Sequence, residues 1–164
     1  MEEMTQAEMI ADELRRALLG EAWHGPSLYE LLEGVTADQA VQRPIAAAHN
    51  IWELVLHITS WANIALRRIA GGQVEPFGGE DWPVPGGASA EQWAAIRAEL
   101  TASHERLRKV VLGLTDQRLA TSAPQSSRSV AAMLHGVVQH AAYHGGQIAL
   151  LKKDVSIYHR RAAL

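Results

Sequence analysis

Cysteine is missing altogether from this chain of 164 residues. That excludes disulfide staples, zinc–thiolate sites and cysteine nucleophiles, so any metal chemistry must draw on imidazole and carboxylate. The same absence fits a reducing, cytoplasmic setting. No apolar run approaches the roughly 20 residues that a bilayer-spanning helix needs, so no membrane role is expected. The opening stretch MEEMTQAEMIADELRR is charged and amphipathic, without the continuous apolar segment of a secretory signal. A dominant charge is missing too. Fifteen Lys and Arg stand against eighteen Asp and Glu, a net charge of −3. The basic residues come as scattered pairs (Arg15-Arg16, Arg67-Arg68, Lys152-Lys153, Arg160-Arg161). A duplex-binding surface concentrates them on one face, so nucleic acid is not the expected partner. Sustained strand alternation, internal repeats and low-complexity tracts are also absent.

What remains is a pattern of helices. Apolar residues make up 48% and charged residues 20%, the balance of a soluble globular protein, and the length suits one domain over residues 1–164. Four long segments carry helical periodicity. The first spans about 5–33, with Thr5 and Glu8 as a capping box, and Gly20, Gly25 and Pro26 should break it in two. A short turn of helix, TADQAVQ, follows and stops before Pro44. The second helix starts at an Asn50/Glu53 capping box and ends at Gly71-Gly72. Residues 73–88, centred on VEPFGGEDWPVPGG, are too rich in Gly and Pro for regular structure. A connection of that length is either functional or a wrap-around crossover. The third helix runs from Ser89 to Gly113 and the fourth from about Ser129 to near Lys153. The expected fold is all-α, a four-helix bundle with a long crossover between the second and third helices. A three-helix core with a loosely docked first helix is the alternative.

The chain has eight histidines. On the fourth helix His140 and His144 stand one turn apart, about 40° from each other on the helical wheel, inside a stripe shared with Met133, Val137 and Leu151. They should point inward, close enough to ligate one ion. Mutual hydrogen bonding or a buried water would satisfy such a pair equally well. On the second helix Ile51, Leu54, Val55, Ile58, Ala62, Ala65 and Ile69 form the apolar arc, and His57 lies at its edge between Glu53 and Trp61. A neighbouring helix can bring His57 against the 140/144 pair, and three neutral imidazoles leave coordination open, the layout of a catalytic metal site. Glu53, Asn50 and Gln147 are candidates to hold the second ring nitrogens. His24, at the break in the first helix, reads as a polar residue at a kink or as an acid/base group. His135 should face outward, and His49, His104 and His159 are read as loop, solvated-face and tail residues.

Three stretches resemble the DinB/YfiT-like superfamily: AWHGPSLYELL at 22–32, HNIWELVLHITSW at 49–61 and SVAAMLHGVVQHAAYHGGQIALLKK at 129–153. EDWPVP and QWAAIRAELTASHERL lie between them, in the family's order. The resemblance implies a metal-binding four-helix bundle whose divalent ion, Zn2+, Ni2+ or Fe2+, sits on His57, His140 and His144. It further implies a homodimer and, in some members, transfer or isomerisation using a low-molecular-weight thiol, or metal-dependent hydrolysis. The expected function is therefore a metal-dependent transferase or hydrolase acting on a small molecule. Glu53, Gln147 and His24 are its candidate proton-moving or orienting groups. A non-catalytic, stress-related metal or small-molecule binder is the alternative. A haem-binding bundle is a remoter one.

Overall fold

Each helix begins where a short polar side chain can satisfy backbone N–H groups that have no partner within the helix. The computed structural model describes residues 3–72, 76, 78–124 and 127–162, with side chains described as far as Asp154. Within them lie α1 (Gln6–Leu19), α2 (Leu28–Leu32), α3 (Ala37–Ala40), α4 (Ile51–Ile69), α5 (Ala90–Leu112), α6 (Asp116–Ala120) and α7 (Val130–Ala162). A single 3-10 turn covers Gly78–Glu80, and no strand occurs among the described residues. Reciprocal capping boxes open α1 (Thr5/Glu8), α2 (Ser27/Glu30), α3 (Thr36/Gln39), α4 (Asn50/Glu53) and α5 (Ser89/Gln92). At α7 the Ser129 hydroxyl accepts from the Ala132 N–H.

The break expected at Gly20, Gly25 and Pro26 is present. Gly20 ends α1 at φ 142° and Gly25 turns at φ 117°, backbone that L side chains rarely adopt. Two elements differ from the sequence reading. Residues 116–120, which lack long apolar periodicity, form α6 on a Thr115 cap. The last helix also continues beyond Lys153 to Ala162, because DVSIYHRRA contains neither Gly nor Pro to stop it.

The packing follows from the apolar faces. α1 and α4 each lie against both α5 and α7, and the short α2 packs on α7. All seven residues of the expected α4 arc are buried. Two apolar clusters result. One gathers Trp52, Leu54, Val55 and Ile58 with Trp93, Leu100, Ala141, Ile148 and Leu151. The other gathers Ala62, Ala65 and Ile69 with Leu107, Val111, Val130, Leu134 and Val137. Low positions of α4 thus meet high positions of α7, and the reverse, so these two helices run antiparallel. None of the described helices is long and apolar enough to cross a membrane.

Candidate metal centre

Antiparallel packing of α4 on α7 brings His57 to the His140/His144 pair. One ring nitrogen from each of the three lies within 4.8 Å of those of the other two. Nε2 of His57 and Nε2 of His140 are 2.9 Å apart. His57 and His144 are buried and His140 is partly buried.

The second ring nitrogens of His57 and His144 are held by acceptors. His57 Nδ1–H donates to the main-chain carbonyl of Asp81 at 2.5 Å. The Asp81 carboxylate is farther, at 3.5 Å, so the carbonyl is the principal partner. His144 Nδ1–H donates to Gln147 Oε1 at 2.9 Å, an i, i+3 contact along α7. These acceptors fix the tautomers, and each leaves Nε2 as the bare, ligating nitrogen.

Burial also disfavours protonation. It pushes His140 down to about 4, reinforced by the neighbouring imidazoles of His144 and His57. His57 and His144 are lowered as well, again chiefly by burial. Neutral imidazole is the form that binds metal. Three imidazoles converging without a carboxylate among them fit a divalent ion of the imidazole-binding kind, a description that suits Zn, Ni, Cu and Fe alike.

The connection between α4 and α5 forms one wall. The Ser60 hydroxyl donates to the Glu80 carbonyl, and Arg67 holds the Glu80 carboxylate through two contacts of 2.6 and 2.9 Å. Trp61 Nε1–H donates to Asp81 Oδ1 at 2.8 Å. These ties press Trp82 flat against His57, with ring centroids 3.8 Å apart, and against His49 at 3.5 Å. Beside the histidines a cavity of ≈ 870 Å³ opens to solvent, walled by Trp61, Trp82 and Tyr143 and floored by apolar side chains of α7.

The other singled-out residues are placed as follows. Gln147 lines this cavity. Glu53 does not: its carboxylate caps α4, accepts from Arg43 at 2.5 Å and meets His49 Nδ1 at 3.1 Å. It acts on the wall through His49. His24 is exposed in the turn between α1 and α2 and is not among the cavity-lining residues. His135 reaches from α7 to Glu13 on α1 at 2.9 Å.

His104 is a correction. Its polar neighbours in sequence mark a solvated face, yet it is 3% exposed, because α5 turns that side toward the helices packed on it. His49 is exposed as read, yet it also lines the cavity. The side chain of His159 lies outside the described residues. Sequence reading missed Asp81, Trp82 and Tyr143. The unusual length of the 73–88 connection and the EDWPVP stretch within it were the signals for the first two.

Residues 22–148 match the sequence pattern of the DinB superfamily, well over half of the chain. The chain belongs to the DinB superfamily. No curated protein and no solved structure matches it. For this DinB-superfamily chain, the functional argument therefore rests on its own three histidines and on the cavity beside them.

Proposed function

We propose that the protein is an enzyme that holds Zn2+, Ni2+ or Fe2+ on His57, His140 and His144 and acts on a small molecule, as a thiol-dependent S-transferase or a hydrolase. The observation that carries the reading is the convergence of three neutral imidazoles at the wall of an open cavity. A divalent ion in such a setting acidifies a water or a thiol, supplying a nucleophile near neutral pH.

The chain's own residues do the rest. Asp81 and Gln147 hold the His57 and His144 rings in their ligating tautomers. In this reading the carboxylate of Asp81, a cavity-lining residue, takes the proton that the nucleophile gives up. Trp61, Trp82 and Tyr143 enclose the substrate and exclude water. In a transfer, the thiolate sulfur forms the new bond to an electrophilic carbon, and the leaving group departs with its electron pair. Glu53 supports the wall through His49, and His24 has no part in the chemistry.

A non-catalytic binder would instead call for a sealed site with a fourth protein ligand. The described residues supply three, and the cavity is open. The reading also takes α1, α4, α5 and α7 as a four-helix bundle with the α4–α5 connection as its crossover. It places the protein in the cytoplasm, as a cysteine-free homodimer.

The test is turnover of a chromogenic aryl halide with a low-molecular-weight thiol, and of a chromogenic aryl ester with water, by metal-loaded protein. His144→Ala should lose bound metal and turnover together. Full activity in that variant, or no turnover of either substrate class by the loaded wild type, would overturn the enzymatic reading.

A further inference from the structure

Gly136 stands in the interior of α7, where a glycine weakens the helix and calls for a reason. Gly145, in the same helix, has one in packing. A Cβ there would meet Leu31 at 3.4 Å and Leu28 at 3.6 Å, so its missing side chain lets α2 approach. Gly136 has no such neighbour. Among the described residues, nothing beyond its own stretch of helix lies within 4 Å of where its Cβ would stand. The space it borders is the cavity of ≈ 870 Å³ beside the three histidines.

The helix fixes the direction. At 100° per residue, the lining residues of α7 fall within an arc of roughly 140°, from Ala132 to Val137, with Gly136 and His140 near its middle. A side chain at 136 would therefore project into the cavity, about 6 Å along the axis from His140. The floor beside it is apolar and firm. Ala65 and Val137, both lining residues, are buried members of one core cluster, and Met133 packs against that cluster. The polar side chains nearer the histidines are already engaged: Asp81 Oδ1 by the Trp61 indole, Gln147 by His144, and His49 by Glu53. What the cavity offers one turn from His140 is hydrocarbon surface and empty volume.

We infer that the substrate carries an apolar group beside its reacting atom, an aryl ring or a branched alkyl chain, seated over Ala65, Met133 and Val137 in the room that Gly136 leaves. This rests on the metal-centre reading and names the substrate class that such a centre would act on. Gly136 sets the size limit of that group. Any side chain there would strengthen the helix and fill the seat. The glycine takes no part in the bond-making step.

The test uses acetohydroxamate and benzohydroxamate, whose shared hydroxamate end takes the metal and whose other ends differ in apolar bulk. Each is titrated calorimetrically into metal-loaded protein, and its affinity is corrected for its own affinity toward the free ion. In the wild type the phenyl compound should bind roughly tenfold or more tighter than the methyl one, the size expected of burying such a ring. Gly136→Leu should bring that ratio close to one while metal content stays at the wild-type level, and Gly136→Ala should give a ratio in between. Equal corrected affinities in the wild type would overturn the inference and leave the metal centre standing. That comparison needs no variant. A folded Gly136→Leu protein that keeps the full ratio would also overturn it, because the seat would then lie elsewhere. A chain that takes up no metal would overturn the centre itself, and this inference with it.

Discussion

The main-chain carbonyl of Asp81 accepts the Nδ1–H of His57 from 24 positions further along the chain, and His57 Nε2 is thereby turned to meet Nε2 of His140 at 2.9 Å. An irregular connection, rather than a helix, thus sets the tautomer of one candidate ligand. Because the acceptor is main chain, no side-chain substitution at position 81 removes it. The side chain that does the equivalent work for His144 is Gln147.

Gln147→Leu removes the acceptor for His144 Nδ1–H and frees the ring to take its other tautomer. Loss of such an outer partner costs roughly 10–100-fold in metal affinity. Competition with a chromogenic chelator should read a drop of that size, with the helical circular dichroism unchanged. Unaltered affinity would mean that Gln147 does not hold the ring.

Trp93 is buried on α5, and its indole N–H donates to the Val35 carbonyl at 2.8 Å, joining the α2–α3 turn to the core. Trp93→Phe keeps most of the ring contact with Trp52, whose centroid is 5.1 Å away, and leaves that carbonyl without its donor. The expected cost is about 1–3 kcal/mol in urea unfolding, with the denaturant slope unchanged. A variant as stable as the wild type would show that the bond contributes nothing net.

His104 makes stability sensitive to acid. Its Nδ1–H donates to the Leu100 carbonyl at 2.9 Å, with Ser103 Oγ 3.4 Å away, while Nε2 is buried without a partner. Burial lowers its pKa below the ordinary 6.5, the Leu100 carbonyl and Glu105 opposing this only in part. The unfolded chain therefore binds a proton in a range where the folded one does not. The corresponding stability is complete above 6.5 and is lost as pH falls toward the lowered folded value. His104→Gln should flatten the fall in unfolding free energy below pH 6.5, measured against the wild type with both proteins metal-free. An unchanged acid slope would contradict this account of His104.

Helix starts and the apolar arc of α4 were legible because each is a local pattern. A capping box needs only two residues three apart, and the wheel of α4 needs only its own sequence. The 140/144 pair was legible for the same reason. His57 alone reads as a boundary histidine; its match to the pair followed from helices packing side by side in a bundle, and the family resemblance agreed with it. What stayed hidden depends on long-range return of the chain. Asp81 and Trp82 lie in a stretch with no period to read, and their positions are set by Ser60, Trp61 and Arg67 on another element. His104 was misread because Ser103, Glu105 and Arg106 describe its neighbours in sequence, whereas its burial is decided by the helices packed against α5. The extent of α7 was underread because a Lys-Lys pair is a favourable ending but not a stop.

The most direct test is elemental analysis of the purified protein beside a variant with His57, His140 and His144 all changed to alanine. The account predicts about one divalent ion per chain in the wild type, and none in the variant once its circular dichroism is shown to be native-like. A wild type that takes up no divalent ion under saturating conditions, or a folded variant that retains one, would contradict it.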